Sequence, residues 1–561
     1  MPESKPLRTS VRPLDEQPPL PRERLLVREK PDAEAVAMDV LFVGGGPAGL
    51  AGAIELARLV KRDNEAGGGI GEVEIGVLEK AAQLGEHNLS GAVVNPSGLR
   101  ELFPEVAMED LPLRRPVRKE GVYLLTPSRA VRIPTPPTMQ NHGNWIASIC
   151  EIVRWLAEKA EGLAVNLFPG FPVASLLVDG DAVVGVRTTP SGLGRDGRPA
   201  AGAEAMAAMD LTAKVTVLSE GTRGSLTQAW LEWQGVRSAN PQIYALGVKE
   251  LWRVKKPLDR IVHTLGWPLP SDAFGGSFMY PMADDLVALG LVVGLDYADA
   301  RLDVHESLQR MKLHPLFREQ IEGGELVEWG AKTIPEGGYY SVPERRHGDG
   351  LLVVGDAAGY VEVSSLKGIH YAIHSGILAA RQIFAALEAG DTSSSALAGY
   401  TAAVDASVIM RDLRERRNMR LAFKSGFVGG GLKAGLMTLT KGAFPGGRIA
   451  IDEDAAKRKR LDGEPEPFTP DGRLTFSKVD AVFKSGNQTR DDIPSHLVRV
   501  VNNSAEAAEV YTHMCPAAVY ERDGEELVVS APNCVDCKAT DVLGPRWTPR
   551  EGGSGPAYRL M

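Results

Sequence analysis

Cysteine is scarce in this chain: four in 561 residues, at Cys150, Cys515, Cys534 and Cys537. So few cysteines cannot staple a chain of this length, which excludes a secreted scaffold built on disulfides and favours a reducing compartment. Three of the four lie close together near the carboxyl end, and this clustering predicts a local role for them.

Long apolar runs and an excess of positive charge are also missing. No stretch approaches the roughly 18 consecutive apolar residues of a transmembrane helix, although attachment to a membrane surface stays open. Residues 1–39 lack a continuous apolar segment, so we expect no secretory signal there. The formal net charge is -9 and the only dense basic run is residues 457–460 (KRKR), so we expect no binding to nucleic acid.

The composition is otherwise that of a folded protein, with 43% hydrophobic and 24% charged residues. The length predicts two to four domains. Residues 1–35 are rich in proline and charge and predict a flexible arm. Residues 461–494 are polar and contain several prolines, which predicts a linker before a C-terminal module, residues 495–561.

A glycine loop at residues 44–49 (GGGPAG) follows an apolar run and precedes a helical pattern. The spacing of Gly44, Gly46 and Gly49 fits the dinucleotide fingerprint, in which glycines allow a tight turn and the helix N-terminus offers amides to a pyrophosphate. The alternative is an ordinary turn between strand and helix. Glu79 ends the next predicted strand and is expected to hold ribose hydroxyls. It comes later than the usual spacing of about 20 residues, which we attribute to an insertion around residues 62–71.

A second, distant loop indicates FAD rather than NAD. In residues 350–359 (GLLVVGDAAG) a strand pattern again ends at a glycine, and Asp356 follows between Gly355 and Gly359. In flavoproteins of the glutathione-reductase type such an aspartate faces the ribityl and phosphate region of the flavin. The alternative is that Asp356 is a helix N-cap.

Ten short segments, in order along the chain, resemble one family. They are residues 89–92 (LSGA), 141–144 (NHGN), 154–158 (RWLAE), 220–224 (EGTRG), 275–278 (GGSF), 290–297 (GLVVGLDY), 367–370 (KGIH), 515–517 (CPA), 533–538 (NCVDCK) and 551–558 (EGGSGPAY). With these segments the chain resembles the electron-transfer flavoprotein:ubiquinone oxidoreductases, which pass electrons from a soluble flavoprotein to membrane quinone.

The resemblance implies a multidomain α/β and α+β protein. Its expected parts are a glutathione-reductase-type FAD-binding Rossmann domain (residues 36–170 and 346–390), an interleaved quinone-binding domain (171–345, with FAD-domain strands near 211–224), a helical membrane-facing segment (391–460) and a ferredoxin-like module.

The resemblance also implies site residues beyond the two glycine loops. Ser90, Gly91, Arg154, Gly221 and Gly368 are expected at FAD. Gly275 and Gly276 match the position of the quinone headgroup, where glycine exposes backbone amides in an apolar pocket; the alternative is a β-bulge.

The cysteine module departs from the family pattern. Cys515, Cys534 and Cys537 match three thiolate ligands of an iron–sulfur cluster, but Thr540 stands where the family has a fourth cysteine. The expected cofactor is therefore a 4Fe-4S or 3Fe-4S cluster. Candidates for the fourth ligand are Thr540, Asp541, His513, the distant Cys150, or none. Alternatives are a zinc site that includes His513, a metal-free module, or a redox-active dithiol.

A second departure lies beside the second flavin loop, where this chain carries Glu362 and the family generally carries asparagine. An ionised carboxylate near the ring would disfavour a reduced, anionic flavin. The alternatives are that Glu362 faces solvent or pairs with Lys367.

Residues 419–444 mix apolar and cationic side chains, a composition that suits a membrane surface. The apolar ones are Leu421, Phe423, Phe427, Val428, Leu432, Leu436, Met437 and Leu439, and the cationic ones are Lys424, Lys433 and Lys441. The alternative is a segment packed on the protein's own core, and the glycines at 429–431 weaken a continuous helix.

The predicted function is electron transfer from reduced electron-transfer flavoprotein to ubiquinone, or to another membrane quinone, through FAD and the cluster. We expect a peripheral, monotopic membrane protein on the cytoplasmic face of a bacterial inner membrane. No side chain is assigned as catalytic, because such a protein positions cofactors and tunes their potentials. The alternatives are an FAD-dependent reductase or hydroxylase of the prenyl-reductase type, and a docking subunit that binds FAD without turnover.

Overall fold

The computed structural model describes residues 9–444, 446–461, 466–500, 503–524 and 526–561. The strands are β1 (Ser10–Val11), β2 (Leu26–Val27), β3 (Val36–Ala37), β4 (Val40–Val43), β5 (Ile75–Glu79), β6 (Val93–Val94), β7 (Arg115–Pro116), β8 (Glu120–Leu125), β9 (Ala130–Ile133), β10 (Trp145–Ile146), β11 (Asn166–Pro169), β12 (Val173–Asp179), β13 (Ala182–Thr188), β14 (Asp210–Thr212), β15 (Val215–Leu218), β16 (Tyr244–Arg253), β17 (Ile261–Gly266), β18 (Gly275–Pro281), β19 (Leu286–Gly294), β20 (Glu325–Pro335), β21 (His347–Gly348), β22 (Leu351–Val353), β23 (Lys459–Arg460), β24 (Leu497–Val498), β25 (Tyr520–Asp523), β26 (Glu526–Val529) and β27 (Arg546–Trp547).

The helices are α1 (Arg22–Leu25), α2 (Pro47–Glu65), α3 (Ser97–Leu102), α4 (Ile149–Glu161), α5 (Ser225–Trp233), α6 (Val304–Lys312), α7 (Pro315–Ile321), α8 (Ile369–Ala389), α9 (Ser394–Ala406), α10 (Val408–Glu415), α11 (Met419–Ala422), α12 (Phe427–Leu439), α13 (Lys478–Lys484), α14 (Ala505–Met514) and α15 (Ala539–Leu543). None of the helices in the described ranges is both long and apolar enough to span a bilayer.

A six-stranded sheet in the order β11-β5-β4-β15-β22-β21 forms the dinucleotide-binding half of the molecule, and its pairings are parallel except for β21 against β22. Every residue of β4, β5, β15 and β22 is buried, as expected for strands covered on both faces. Helices α2 and α8 cross with their backbones in contact, because a Cβ at Gly376 would lie 2.2 Å from the carbonyl oxygen of Ala48. Glycine at this crossing brings the N-terminus of α2 down onto the sheet edge.

A seven-stranded sheet, ordered β20-β16-β19-β18-β17-β8-β9, forms the other half. The chain leaves the parallel sheet after β15, builds most of this second sheet, and returns to the first through β21 and β22. The predicted interleaving of two domains is therefore present. Because β8 and β9 come from an earlier excursion and pair beside β17, the two halves cannot be separated by one cut of the chain.

The described part of the predicted N-terminal arm, residues 9–35, is woven into the fold, and residues 1–8 lie outside the described residues. Strand β1 pairs with β23 and β2 pairs with β12. The Gln17 side-chain amide donates to the carbonyl oxygens of Asp541 and Gly544, each at 2.9 Å. A proline- and charge-rich sequence hid these contacts because they are made with residues hundreds of positions away.

The predicted linker, residues 461–494, contains a helix, and its residues 462–465 lie outside the described residues. Ser477 and Asp480 form a capping box that starts α13, and α13 packs against β20 of the seven-stranded sheet. The C-terminal module shares one hydrophobic core with that sheet, in which Cys515, Cys534 and Cys537 pack together with Trp329. The module is thus a layer on the second sheet rather than a tethered domain.

Candidate functional site

A cavity lies where four parallel strands end at the same sheet edge, the usual place for a ligand in a sheet of this kind. It is lined by Gly44 after β4, Glu79 at the end of β5, Gly221 after β15 and Gly355 after β22. Both glycine loops predicted from the sequence therefore meet at one site.

The first loop closes by contacts that only glycine allows. Gly44 has φ +113°, and a Cβ there would lie 2.4 Å from the carbonyl oxygen of Ser219. Gly46 is the N-cap of α2, and its Cβ would have no nearer neighbour than Asn88 Oδ1 at 3.7 Å, so it borders open cavity. Gly49 does not line the cavity; its Cβ would lie 2.2 Å from the carbonyl oxygen of Gly44, so it seats the helix on the loop. The N-terminus of a 19-residue helix thus faces the cavity and suits an anionic pyrophosphate.

Glu79 is buried and oriented by its own neighbours. Its carboxylate accepts hydrogen bonds from the backbone amides of Gly45 and Ala81, each at 2.9 Å. The long spacing from the glycine loop arises because α2 runs on to Glu65 and an irregular segment at residues 66–74 follows. Only residues 66–71 of the predicted insertion are therefore irregular, and residues 62–65 extend the helix.

The second loop turns into the cavity through another positive φ, +61° at Gly355, whose amide donates to Ser375 Oγ. Asp356 and Gly368 also line the cavity. Burial raises the pKa of Asp356 to about 6. The fold presents this carboxyl to the cavity where a ribityl or ribose hydroxyl could reach it. Gly359 lies behind the loop, with its Cβ position 2.6 Å from Gln242 Nε2, and lines a different pocket.

Nine of the twelve residues predicted at FAD line this one cavity: Gly44, Gly46, Glu79, Ser90, Gly91, Gly221, Gly355, Asp356 and Gly368. Gly49 and Gly359 support the loops from behind. Arg154 lies on α4, and its guanidinium donates to the carbonyl oxygen of Arg559 rather than lining the cavity. The cavity provides the features that bind FAD: positive-φ glycines, a helix N-terminus and two buried carboxyl groups.

The opposite wall of the cavity comes from the seven-stranded sheet. Its members are Gly247, Val248 and Lys249 on β16, His263 on β17, Phe278 and Tyr280 on β18, Val292 on β19, and Lys332, Thr333 and Ile334 on β20. The Tyr280 hydroxyl lies 2.6 Å from His263 Nε2, and burial lowers the pKa of His263 to about 3, so this ring is neutral at pH 7. The wall is mainly apolar and aromatic.

Lys249 is a cationic exception in that wall, as is Lys332, and sequence reasoning missed it. Its side chain is buried, and Nζ has no hydrogen-bond partner among the described residues. Burial lowers the pKa of this lysine to about 8. A cationic residue in the middle of an otherwise apolar strand pattern was the available signal.

Gly275 and Gly276, the predicted quinone contacts, lie at the start of β18 and do not line the cavity. A Cβ at Gly275 would lie 2.2 Å from the carbonyl oxygen of Val292, and one at Gly276 would lie 2.5 Å from that of Thr264. Both glycines are therefore required by close strand packing. The neighbouring Phe274 packs against Phe423, with ring centroids 5.3 Å apart, which links this strand end to the segment before α12.

The three clustered cysteines are buried together. The backbone amides of Ala517 and Val519 donate to the sulfur of Cys515, that of Asp536 to Cys534 and that of Ala539 to Cys537. Burial raises the pKa of Cys534 to about 12, and the neighbouring thiols raise it in addition for Cys537. Amide donors aimed at sulfur stabilise thiolates, and a bound metal deprotonates such thiols outright. These three residues fit three corners of an iron–sulfur cluster.

Thr540, at the position of the missing cysteine, already has two partners. Its hydroxyl donates to the carbonyl oxygen of Pro545 at 3.1 Å, so the Tyr520 hydroxyl, at 2.6 Å, donates to it. Asp541 is engaged by Arg223 at 2.6 Å, and His513 lies 3.5 Å from Glu509. Cys150 donates to the carbonyl oxygen of Asn88 and packs in a different core cluster.

The cysteine loop and the flavin cavity share residues. Lys80, Lys332 and Lys538 all line the cavity, and Lys80 forms an ion pair with Asp536 between the two neighbouring cysteines. The Lys332 ammonium donates to the carbonyl oxygen of Asp536 at 3.2 Å. Lys80 and Lys332 therefore each contact both the cysteine loop and the cavity.

Glu362 neither faces solvent nor pairs with the Lys367 ammonium. Its buried carboxylate forms an ion pair with Arg416 at 2.6 Å and accepts hydrogen bonds from the amides of Ser364 and Ser365. The Lys367 ammonium donates instead to Asn141 Oδ1. The negative charge of Glu362 is thus balanced by Arg416, which follows α10.

The predicted membrane-facing segment is helical, with residue 445 and the side chains of Phe427 and Val428 outside the described set. Leu421 and Met437 are buried, as is Met419, so one side of the segment packs on the protein. Leu432, Leu436 and Leu439 are 69%, 45% and 82% exposed and lie on one face of α12.

Two family models match the chain. One, described as ETF-QO, ubiquinone-binding, matches residues 244–334, and the other, described as electron transfer flavoprotein-ubiquinone oxidoreductase, 4Fe-4S, matches residues 472–559. The second match begins within the predicted linker, in agreement with the helix found there.

Curated relatives match over nearly the whole length. The mitochondrial electron transfer flavoprotein-ubiquinone oxidoreductase of Oryza sativa is 36% identical, with 94% of each chain covered. The electron transfer flavoprotein-ubiquinone oxidoreductase of Pseudomonas aeruginosa is also 36% identical, with 94% of this chain and all of the relative covered.

Among solved structures, a geranylgeranyl bacteriochlorophyll reductase-like protein from Thermoplasma acidophilum superimposes with a TM-score of 0.55 at 18% identity, over 72% of this chain and 92% of that one. At this identity the likeness concerns the fold alone, and it confirms the predicted fold class.

Proposed function

This chain belongs to the electron transfer flavoprotein-ubiquinone oxidoreductase family, and from that premise we propose that it transfers electrons from a reduced electron-transfer flavoprotein to ubiquinone. It is an oxidoreductase whose cofactors are FAD and an iron–sulfur cluster. Bound FAD supplies one- and two-electron redox chemistry, and the cluster supplies one-electron chemistry.

The observation that carries this proposal is the shared cavity. Its floor is the dinucleotide fold, its opposite wall comes from strands within the ubiquinone-binding match, and its rim includes Lys538 of the cysteine loop. Three parts of the chain with three different tasks thus border one space. A reductase that served only FAD and a soluble substrate would not require the third part.

The chain's own residues bind and position in this proposal. Gly46 and the N-terminus of α2 receive the pyrophosphate, Glu79 accepts from ribose hydroxyls, and Asp356 accepts from the ribityl region. The sheet wall excludes water from the ring. Lys249 and Lys332 present cationic side chains in that wall, and no residue is assigned as a proton donor or acceptor.

We place the quinone entrance near the start of β18. Gly275 and Gly276 are half-buried, and Phe274 beside them packs on Phe423 at the base of α12. An apolar tail that enters beside α12 would reach this strand end first. The quinone contacts of the two glycines remain a prediction.

Attachment to a membrane surface follows from the same helix. Leu432, Leu436 and Leu439 present an apolar face, and Lys433 and Lys441 flank it. Exposed leucines that can enter the acyl region, with lysines beside them that can meet the lipid headgroups, suit a monotopic helix. We propose peripheral binding at the cytoplasmic face of a bacterial inner membrane.

The decisive experiment is quinone reduction by the purified holoprotein supplied with reduced electron-transfer flavoprotein and a short-chain ubiquinone. Turnover that depends on both substrates, with no oxidation of NADPH, is expected. Oxidation of NADPH without quinone reduction would identify a reductase of the related fold, and bound FAD with no turnover on either would identify a docking subunit.

The membrane proposal is tested by sedimentation with anionic phospholipid vesicles. Leu439→Gln should reduce bound protein several-fold. Phe483→Gln is the matched control, because Phe483 is equally exposed, at 82%, but lies on α13. Equal binding by both variants would rule out α12 as the attachment site.

A further inference from the structure

We propose that the cluster of this chain is a three-iron, four-sulfide cluster, because Cys515, Cys534 and Cys537 hold three corners and no side chain among the described residues holds the fourth. The proposal concerns the cluster within the proposed function but does not depend on turnover. It goes beyond the family model, which is described as 4Fe-4S.

Three corners are well prepared for iron. Each of the three sulfurs receives at least one backbone amide, and the loops that supply these amides turn through positive φ at Ala518, Asp536 and Lys538. Residues rarely adopt this conformation unless the surrounding fold requires it. The loop geometry of a cluster site is therefore retained around these three cysteines.

The fourth corner is occupied by a satisfied alcohol. Thr540 lies in the first turn of α15, three residues after Cys537, and the Tyr520 ring that binds its hydroxyl also lies near Cys515 and Cys534, whose charges add to burial in raising the pKa of Tyr520. The Thr540 hydroxyl uses its proton on Pro545 and a lone pair on Tyr520. A neutral alcohol held in this way is a poor ligand for iron compared with a thiolate, which is the ligand that iron–sulfur clusters use.

The other candidate ligands are committed elsewhere. Asp541 accepts from Arg223 and from the backbone amide of Trp547, at 2.6 and 2.9 Å. His513 is in the last turn of α14 beside Glu509, and Cys150 lies on α4 in a different hydrophobic core cluster. Each side chain would have to break the hydrogen bond or ion pair that it forms here before it could approach the cluster.

His496 is the strongest competitor, and only the structure reveals it. Neither ring nitrogen has a hydrogen-bond partner in the described part of the chain, and the ring, Cys534 Sγ and an oxygen of Asp536 lie within 4.8 Å of one another. Ligands of two different corners of a cubane diverge from each other. A nitrogen this close to Cys534 is directed at the corner that Cys534 already holds, so it does not complete the fourth.

The test is the iron and acid-labile sulfide content of the purified holoprotein, together with its EPR spectrum. We expect three irons per four sulfides and a paramagnetic cluster in the oxidised protein, since an oxidised four-iron cluster is EPR-silent. Thr540→Cys should bind a fourth iron and lose the oxidised signal. Thr540→Val, which keeps the side-chain shape without the hydroxyl, should behave as the unchanged protein does.

A second measurement does not depend on any variant. One electron from dithionite and one added ferrous ion convert the oxidised three-iron cluster, charge +1, to a four-iron cluster of charge +2. EDTA with an oxidant should remove that added iron from the unchanged protein but not from Thr540→Cys.

Four irons that resist EDTA in the unchanged protein would overturn the proposal, as would zinc or a site without iron. If the fourth iron is then lost in His496→Ala, the ligand is His496. FAD content and quinone turnover are measured on the same preparation, so failure of the proposed function is distinguished from failure of the three-iron assignment.

Discussion

The flavin cavity and the cysteine module are built in opposite ways. The cavity consists mainly of backbone: four strand ends, two glycine loops and a helix N-terminus, with Glu79 and Asp356 as the main side chains. The cysteine module depends on individual side chains, each forming its own bond to metal. A site made of backbone tolerates drift in its side chains, whereas a ligand set loses one bond with each substitution. This difference explains how one chain combines a cavity lined by nine of the twelve residues predicted at FAD with a cysteine module that lacks one thiolate.

Cys537→Ala should give the largest effect and sharpen the comparison. Two thiolates cannot hold a cluster, so bound iron should fall below about a tenth of its original content, while FAD content stays within experimental error. Iron analysis and the flavin absorbance measure both on one sample. Cys150→Ala is the control. Cys150 lies on α4 in a different core cluster, so this substitution should leave the iron content unchanged. Loss of FAD together with iron in Cys537→Ala would show that the two sites are not independent.

Gly46→Ala should weaken FAD binding although the flavin site tolerates the loss of side chains, because this substitution adds a side chain to the cavity. The new methyl meets no protein atom nearer than 3.7 Å, so folding should be unaffected, but it projects into the cavity. The FAD dissociation constant should rise about 100-fold, equivalent to about 3 kcal/mol of overpacking. Fluorescence titration of FAD-free protein measures it. Gly69→Ala, at an open surface position, is the control, and an equal loss in both would contradict the assignment.

Lys249→Met tests a buried lysine of the cavity wall that has no hydrogen-bond partner among the described residues. Because the folded-state pKa of about 8 lies below the ordinary 10.5, the folded protein releases a proton between these values that the unfolded chain retains. Stability should therefore rise with pH across this window, and below pH 8 the buried charge should cost on the order of 3 kcal/mol. The methionine variant should have a shallower slope, because Lys332 and Lys367 with pKa values of about 8 still contribute, and it should unfold at higher urea at pH 7.

The measurement is urea unfolding of FAD-free protein from pH 7 to 9.5, which avoids stabilisation by bound flavin. Lys30→Met, at an exposed lysine, is the control. A slope as steep as that of the unchanged protein in Lys249→Met would assign the effect to other buried lysines, such as Lys332 and Lys367, whose pKa values burial also lowers to about 8.

Glu79→Gln should give the smallest effect. The amide keeps the shape and one acceptor but loses the charge, and a hydrogen bond to a charged group contributes about 1.5 kcal/mol at the low end. FAD affinity should therefore fall about tenfold, measured by the same titration. Glu74→Gln is the control, since Glu74 is exposed and contacts Asn166 rather than the cavity. No change in Glu79→Gln would mean that the backbone alone binds the ribose end.

The sequence predicted the family and the fold class, and it predicted residues that come together in one cavity, because those features depend on local patterns. The two glycine loops are each read from a few adjacent residues, and nine of the twelve predicted FAD contacts meet in one cavity. Arg154 does not line the cavity, since its guanidinium bonds the distant backbone of Arg559, and its expected contact with FAD stays a prediction. The predicted free arm and linker failed for the same reason: Gln17 and α13 find their partners in distant parts of the chain.

By itself, the sequence determined which chemistry this protein carries: glycine loops for a dinucleotide, and three cysteines with a threonine in the fourth place. Those features are properties of residue type and spacing. Only the tertiary structure decided how they are connected, because burial and long-range pairing are set by the whole fold. It placed Lys249 in the flavin wall, balanced Glu362 with Arg416, brought His496 beside Cys534, and engaged the Thr540 hydroxyl with Tyr520 and Pro545.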